Sequence, residues 1–202
     1  KYNTGEGLKP NNFLYAFPSI VRNIETLENA AKGIGVFTFR PSVDGIVRQV
    51  PLIVRVGDNL YPTLALELFR VTTEQTTMAL EYDTAGMRGV KLKGLNIPTD
   101  RSGQIWMKFG KHDRSLYVSA MDVLNGTADP ERLAGKLAFL GTSAIGLLDI
   151  KATPLDAAIP GVEVHAQLLQ NILDKNYLAR PNWAIGAEIV AMVLVGLLMV
   201  LL

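Results

Sequence analysis

The sequence predicts an α/β domain, with a mixed β-sheet and flanking helices, followed by a C-terminal transmembrane helix. Runs of β-branched and aromatic residues alternate along the chain with segments whose apolar residues recur at helical spacing. About 180 of the 202 residues precede the last segment, and this is enough for one domain with its own core. The last segment, residues 183–202, is apolar except for Glu188.

Residues 183–202 have the length and composition of a membrane span, because a helix needs about 20 apolar residues to cross a hydrocarbon core of roughly 30 Å. Each Leu, Ile or Val favours insertion by roughly 0.3–0.6 kcal/mol, and together they outweigh one carboxylate that costs about 3 kcal/mol. The alternative is a buried core helix, but the segment has neither caps nor a polar face. We therefore divide the chain into a soluble part, residues 1–181, and a transmembrane helix, residues 182–202.

Charge and cysteine content exclude several classes of function. The chain has 20 Lys and Arg against 19 Asp and Glu, so no excess positive charge attracts nucleic acid. It has no cysteine, which excludes disulfides, zinc–thiolate sites and thiol nucleophiles. Its first residue is not Met and its last lies in an apolar run, which predicts a piece of a longer protein.

Two apolar runs early in the chain predict a β-hairpin. GIGVFTFR (residues 33–40) and IVRQVPLIVRV (residues 46–56) are separated by a turn signal at Asp44 and Gly45. Pro51 is expected to confine the second strand to a sheet edge or to force a bulge. Further strands are predicted over residues 78–82, 90–92 and 104–109. KLAFLG (residues 136–141) is typical of a strand buried on both faces.

Three segments of the soluble part are predicted to be helical. Thr63 is placed to cap a helix that runs to about Val71, with Leu64, Leu68 and Val71 on its buried side. Ser119 is placed to cap a short helix that ends before Asn125 and Gly126.

The third predicted helix, residues 161–175, is amphipathic. Its apolar side, expected to lie on the sheet, carries Val162, Ala166, Leu169 and Leu173. Its expected solvent side carries Glu163, Gln167, Gln170 and Asp174. Residues 176–182 link this helix to Trp183, which suits a membrane interface.

The order of motifs resembles the type-two CHASE domain. These motifs are DGIVRQVPL, YPTLALEL, IPTD, YVSAMDVL, KLAFLGTSAIGLLDIKATPL, PGVEVHAQLLQNIL and RPNW. The resemblance covers about residues 33–183. It implies an extracytoplasmic sensor of a bacterial membrane receptor, truncated here at both ends: the family's first strands would precede Lys1, and further membrane helices and a cytoplasmic output domain would follow Leu202.

The resemblance also implies a location and an output. The expected location is the bacterial cytoplasmic (inner) membrane, with the sensor on the extracytoplasmic side, although Lys175 and Arg180 before the span would favour the opposite orientation. The expected partners are the lipid bilayer, an unknown stimulus or ligand, and a second copy of the parent protein. The expected output is an adenylate or guanylate cyclase. A histidine kinase, a serine/threonine kinase and a membrane tether without output are the alternatives.

Three polar residues near the helix of residues 161–175 are candidates for ligand binding: Asp149, Glu163 and His165. Carboxylates with an imidazole can hold a cation, whereas the alternative gives each residue a local structural role, such as an acid at a helix N-terminus. A third hypothesis, a hydrolase with Ser143 as nucleophile, lacks the GxSxG motif. We predict no catalytic residue, no cofactor and no metal ligand in this part of the protein.

Overall fold

A computed structural model describes residues 2–3, 10–39, 42–143, 149–178, 180 and 183–201, and it confirms the predicted α/β class and the apolar C-terminal helix. The strands are β1 (Tyr2–Asn3), β2 (Tyr15–Phe17), β3 (Gln49–Pro51), β4 (Ile53–Val56), β5 (Asn59–Pro62), β6 (Met78–Asp83), β7 (Gly86–Leu92), β8 (Leu95–Pro98), β9 (Gln104–Trp106), β10 (Ile150–Lys151) and β11 (Ile159–Pro160). The α-helices are α1 (Glu25–Ala30), α2 (Leu64–Thr72), α3 (Ala120–Leu124), α4 (Gly161–Leu173) and α5 (Ala184–Leu201).

The described strands form several small sheets. One has the order β1-β6-β7-β8, another has the order β2-β4-β5, and β3-β9 and β10-β11 form separate pairs. β1 runs parallel to β6 and β2 parallel to β4, whereas the other neighbours are antiparallel. The arrangement is therefore mixed, as the sequence predicts.

The core lies between these sheets and two helices, α2 and α4, which pack against each other. Val50 and Ile53 from the strands, Leu66 from α2, and Leu168 and Ile172 from α4 are completely buried. Burial of such side chains stabilises a fold by about 1.5–3 kcal/mol each. Helix α4 is therefore an integral part of the core.

The predicted hairpin between residues 33–40 and 46–56 is wrong. Residues 40 and 41 lie outside the described residues, and the described part, 33–39, forms a single parallel bridge between Val36 and Thr63. The antiparallel partner of β4 is β5. Gly57 has φ +59°, and the short turn there lets β4 pair with the strand that follows it directly.

The second run, residues 46–56, changes partners partway along its length. β3 pairs with β9, whereas β4 pairs with β5, and Leu52 between them donates its N–H to the carbonyl of Gly103 at 2.9 Å. The break directly follows Pro51, which has no N–H to donate to a ladder. β9 is also shorter than the predicted strand over residues 104–109.

The strand predicted for residues 136–141 is also absent. This segment is irregular, and only one of its sides is covered. Phe139 packs on the core, and Gly141 lies so close to α4 that an added Cβ would come within 2.4 Å of the Val162 Cβ. Leu140, by contrast, is 90 % exposed. This apolar run is therefore mostly exposed and enters no sheet, and it contacts the rest of the domain through Phe139 and Gly141.

The helix predictions hold for position better than for orientation. α2 follows Thr63 as predicted, but the Thr63 hydroxyl makes no capping bond. Its buried residues are Ala65, Leu66, Glu67 and Phe69. The predicted Leu64, Leu68 and Val71 are only partly buried, and of these Leu68 packs against the core. α3 agrees with its prediction, because it ends at Leu124 and the Ser119 hydroxyl accepts a capping hydrogen bond from the Met121 N–H at 3.2 Å.

Candidate functional site

Helix α4 lies beside an extended segment, residues 107–112, that continues β9. Met107 and Phe109 of this segment are buried in the core. Side chains alternate along an extended chain, so the side chain of Lys108 does not enter the core, and Gly110 has no side chain. The backbone N–H and carbonyl groups of these two residues are available for hydrogen bonds to α4. The helix and the segment run in opposite directions.

Polar side chains of α4 bond to every second residue of this segment. Asn171 accepts from the Lys108 N–H at 2.9 Å and donates to the Lys108 carbonyl at 3.1 Å. Gln167 accepts from the Gly110 N–H at 2.9 Å and donates to the Gly110 carbonyl at 3.4 Å. These side-chain amides thus replace the backbone amides of a neighbouring strand.

The spacing explains why the two elements match. Four residues of an α-helix rise about 6 Å, and two residues of an extended chain advance about 6.6 Å. Residues 163, 167 and 171 of α4 therefore reach residues 112, 110 and 108 in turn. We call this set of side-chain bonds the polar ladder.

The polar ladder ends at Glu163, a carboxylate that is nearly buried, with 8 % exposure. His112 Nδ1 lies 2.6 Å and the Tyr117 hydroxyl 2.5 Å from Glu163 Oε2, and Gln167 donates to Oε1 at 2.9 Å. Burial and the adjacent carboxylate raise the pKa of Tyr117, so its phenol keeps its proton and acts as a donor. The three donors compensate the cost of burying the carboxylate.

The polar ladder corrects the predicted orientation of α4. Glu163 and Gln167 were expected to face solvent, but both bond to protein groups, and Glu163 is buried. The predicted apolar side is partly wrong as well, because Leu173 is 48 % exposed. The physical reason is that the hydrogen bonds of the ladder let a polar side of the helix pack against the protein.

A second feature of α4, the His165 imidazole, is 2 % exposed. Its Nε2 lies 2.8 Å from the carbonyl oxygen of Phe37, and its ring meets the Phe39 ring edge-on at 5.5 Å between centroids. Burial is the main effect on its pKa and lowers it, against smaller raising effects of the Phe37 carbonyl and Asp149. His165 is thus held neutral near pH 7.

Asp149 lies at the start of α4. Its carbonyl accepts the Gly161 N–H at 2.7 Å, and its carboxylate is 3.2 Å from Lys151 Nζ. An added Cβ on Gly161 would lie 2.2 Å from Asp149 Oδ1. The absence of a side chain at Gly161 therefore provides the space in which the Asp149 carboxylate sits.

The structure divides the three predicted ligand-binding candidates between two sides of α4. Asp149 and His165 share one side, whereas Glu163 bonds to His112 and Tyr117 on the other. Residues two apart on a helix point about 200° apart, so Glu163 and His165 do not converge on one cation. Within the described ranges, no group of three or more His, Asp or Glu side chains could hold a metal ion. Ligand binding by these residues stays a prediction.

The link after α4 returns to the same strands. Lys175 adopts φ +52° directly after the helix, and the Lys108 ammonium donates to the side chain of Asn176 at 3.1 Å. The Tyr177 hydroxyl donates to the Asn96 carbonyl at 3.2 Å, and the Leu178 N–H donates to the Trp106 carbonyl at 3.1 Å. The chain thus stays bonded to β8 and β9 until Leu178, five residues before Trp183.

Helix α5 has 18 residues, none of them buried, and it is long and apolar enough to span a membrane. Both carboxylate oxygens of Glu188 accept a hydrogen bond from Arg180 Nη2, Oε1 at 2.7 Å and Oε2 at 2.6 Å. Pairing offsets part of the cost of placing this acid near lipid.

Four residues of the polar ladder were missed as functional candidates: His112, Tyr117, Gln167 and Asn171. A partial signal was present, since polar residues recur at 163, 167 and 171, which places them on one side of a helix. Residues 107–109 also alternate apolar, polar, apolar. Nothing in the sequence indicates that these two patterns face each other.

Comparisons with known proteins agree with this architecture. A search of curated proteins finds no match, and a search of solved structures finds none either. The family model of the CHASE2 domain matches residues 7–201, a range that includes the polar ladder, α5 and the strands from β2 onwards. CHASE2 domains are extracytoplasmic sensor domains of signalling proteins. The chain therefore belongs to the CHASE2 domain family.

Proposed function

We propose that residues 1–181 are the sensor domain, and residues 182–202 the first membrane-spanning segment after it, of a receptor in the cytoplasmic membrane of a bacterium. One observation carries this proposal: α4 is fixed in the core by the polar ladder, the chain after it is bonded to β8 and β9 as far as Leu178, and the helix that follows has no buried residue. A rearrangement of α4 and of the strands to which this link is bonded would therefore act on the chain five residues before Trp183.

A stimulus changes the output of such a receptor only through its different affinities for two arrangements of the domain. A coupling free energy of about 1–3 kcal/mol is typical of such systems. Our proposal is that the two arrangements differ at α4, since this helix contacts both the core and the link to α5. The parent receptor is proposed to be a homodimer.

The proposed location can be tested by cysteine labelling, because the chain has no cysteine of its own. Thr84→Cys lies in an exposed turn, and Val193→Cys lies in α5. A membrane-impermeant maleimide added to intact cells should label Thr84→Cys. Val193→Cys, the matched control in lipid, should stay unlabelled until the membrane is dissolved. Labelling of Thr84→Cys only after lysis would place the domain in the cytoplasm and contradict the proposal.

The proposed output is a nucleotide cyclase, which follows from the frequency of this output in the family and not from a residue of this chain. The test uses the full-length receptor in nanodiscs with ATP or GTP. Formation of a cyclic nucleotide supports the cyclase. Phosphate transfer to protein without a cyclic nucleotide would identify the histidine or serine/threonine kinase alternative, and neither activity would favour a tether. A mass corresponding to one copy per nanodisc would contradict the homodimer.

A further inference from the structure

The two ring nitrogens of His165 have different surroundings. Nε2 donates to the Phe37 carbonyl oxygen at 2.8 Å, and a carbonyl can only accept, so Nε2 carries the hydrogen of the neutral ring. Nδ1 is then an unprotonated nitrogen. It is buried and has no hydrogen-bond partner among the residues that the structure describes. A proton taken up by His165 would therefore arrive at Nδ1 and would need an acceptor there.

Asp149, on the same side of α4, is the candidate for that acceptor. Gly161 and His165 are four residues apart and lie on the same side of α4, and the Asp149 carboxylate occupies the space beside Gly161. The negative charge of Asp149 raises the pKa of the His165 imidazole, although the lowering effect of burial is stronger. One helical turn, about 6 Å of rise, separates the glycine from the histidine.

The other charged groups around this side of α4 already have partners. Lys151 Nζ lies 3.2 Å from Asp149 Oδ1 and 5.9 Å from the centroid of the Phe39 ring. On α2, which packs against α4, Glu67 and Arg70 pair at 2.6 Å. On α4 itself, Glu163 bonds to His112 and Tyr117 on the opposite side. Lys151 and a protonated His165 would thus compete for the Asp149 carboxylate.

We infer that Asp149, Lys151 and His165 form an acid-operated switch at the start of α4. At neutral pH His165 is uncharged, and Asp149 pairs with Lys151. When the medium acidifies, a proton from water binds Nδ1 of His165, and the Asp149 carboxylate leaves Lys151 to accept a hydrogen bond from the new N–H. Because the Asp149 carbonyl also holds the Gly161 N–H, this movement shifts the first turn of α4.

The biological meaning of the switch rests on the proposed function. A domain outside the cytoplasmic membrane is exposed to the pH of the medium, and α4 is the helix that leads to the membrane segment. Protonation of His165 would then be one way to move α4 relative to the sheet.

The first test follows the two histidines of the full chain in nanodiscs by ¹⁵N NMR as a function of pH. Asp149→Asn removes the favourable charge, so the pKa of His165 should fall. Lys151→Met removes the competing cation, so the pKa of His165 should rise. Lys91→Met is the matched control, because Lys91 pairs with Glu81 on β6 at 2.5 Å, and it should leave the titration of His165 unchanged. If the pKa of His165 were unchanged in both Asp149→Asn and Lys151→Met, the switch would be overturned.

The second test measures hydrogen exchange of the first-turn amides of α4, corrected for the intrinsic pH dependence of exchange. Protection should fall in the wild-type chain as His165 becomes protonated, and this step should be missing in His165→Gln. Equal protection on both sides of the titration would overturn the switch. Both tests use this chain alone, so their failure leaves the proposed receptor function standing, whereas a working switch without a response of the receptor's output would count against that function.

Discussion

Two consecutive helices of this chain are stabilised in opposite ways. α4 has 13 residues, eight of which are buried, and the polar ladder joins Gln167 and Asn171 to backbone groups and Glu163 to side chains. α5 has 18 residues, none of which is buried. The position of α4 therefore depends on the identity of its residues, whereas α5 depends on being apolar throughout. Residue-specific contacts therefore end with α4 and its link, and the proposed signal would have to reach the membrane segment through them.

The two helices should differ most in the unfolding free energy that is lost when one leucine in each is replaced by alanine. Leu168→Ala in α4 removes a completely buried side chain and should lower the free energy of unfolding by about 2–5 kcal/mol. Leu197→Ala in α5, whose leucine is exposed to lipid or detergent, should leave the unfolding of the domain unchanged. Urea denaturation in nanodiscs, followed by circular dichroism, measures both. Equal losses for the two variants would break the comparison.

Removal of the carboxylate at the end of the polar ladder should have the next largest effect. Glu163→Ala leaves His112 and Tyr117 without their acceptor and should cost about 1–3 kcal/mol of unfolding free energy. Glu131→Ala, at an exposed glutamate, is the matched control and should change stability little. If the two alanine variants unfolded at the same urea concentration, the ladder would contribute nothing to holding α4.

A glycine in contact with α4 and a glycine in α5 give a third comparison. Gly141→Ala places a Cβ within 2.4 Å of the Val162 Cβ, and the resulting overpacking should cost about 1–3 kcal/mol. Gly186→Ala is the control, because nothing lies within 4 Å of the position of its added Cβ. Thermal unfolding of both variants tests this. A stable Gly141→Ala protein would mean that residues 136–141 are not packed tightly on α4.

The buried His165 of α4 should also make the free energy of unfolding depend on pH. The pKa of His165 is lowered in the folded state from 6.5, so the unfolded chain binds more protons between the two pKa values. The free energy of unfolding should therefore decrease as the pH falls below about 6.5 and level off below the folded pKa. Lowered carboxylate pKa values at Asp44, Asp83 and Asp113 act only near and below 3.8.

Urea denaturation at several pH values, with His165→Gln as the reference, isolates this contribution. The variant should show a weaker decrease between pH 6.5 and the folded pKa of His165. The same slope in both proteins over this range would contradict burial of a neutral His165 in α4.

The smallest effect is expected for the ion pair that joins the link to α5. Arg180 and Glu188 are both about half exposed in this structure, and exposed pairs of this kind contribute about 0–1 kcal/mol. Arg180→Ala should leave urea denaturation of the domain unchanged but should move Glu188 relative to the lipid headgroups. Maleimide labelling of Ala187→Cys, which leaves Glu188 in place, reports this depth, and an unaltered labelling rate would mean that Arg180 does not position α5.

The elements that depend on neighbouring residues could be predicted from the sequence. The cap at Ser119, the extended runs that became β6 and β7, and the uninterrupted apolar residues of α5 each express a local preference. The resemblance to the type-two CHASE domain, read from the order of motifs, is confirmed by the family match to residues 7–201.

The pairings and the buried sides could not be predicted, because they depend on residues far apart in the chain. Residues 136–141 have the composition of a buried strand, yet most of them are exposed, and Gly141 lies against a helix that begins twenty residues later. Glu163 was assigned to solvent because charged side chains are rarely buried, and its burial depends on His112 and Tyr117. A single sequence contains no signal for such contacts.

The central claim, that displacement of α4 reaches the membrane through its link, is tested most directly in the full-length receptor without knowledge of its stimulus. Glu163→Gln weakens the polar ladder and should change the output activity. With four Gly and Ser residues inserted after Lys175, the same substitution should leave the output unchanged while still lowering the unfolding free energy of the domain. An equal change in output with and without the insertion would contradict the account.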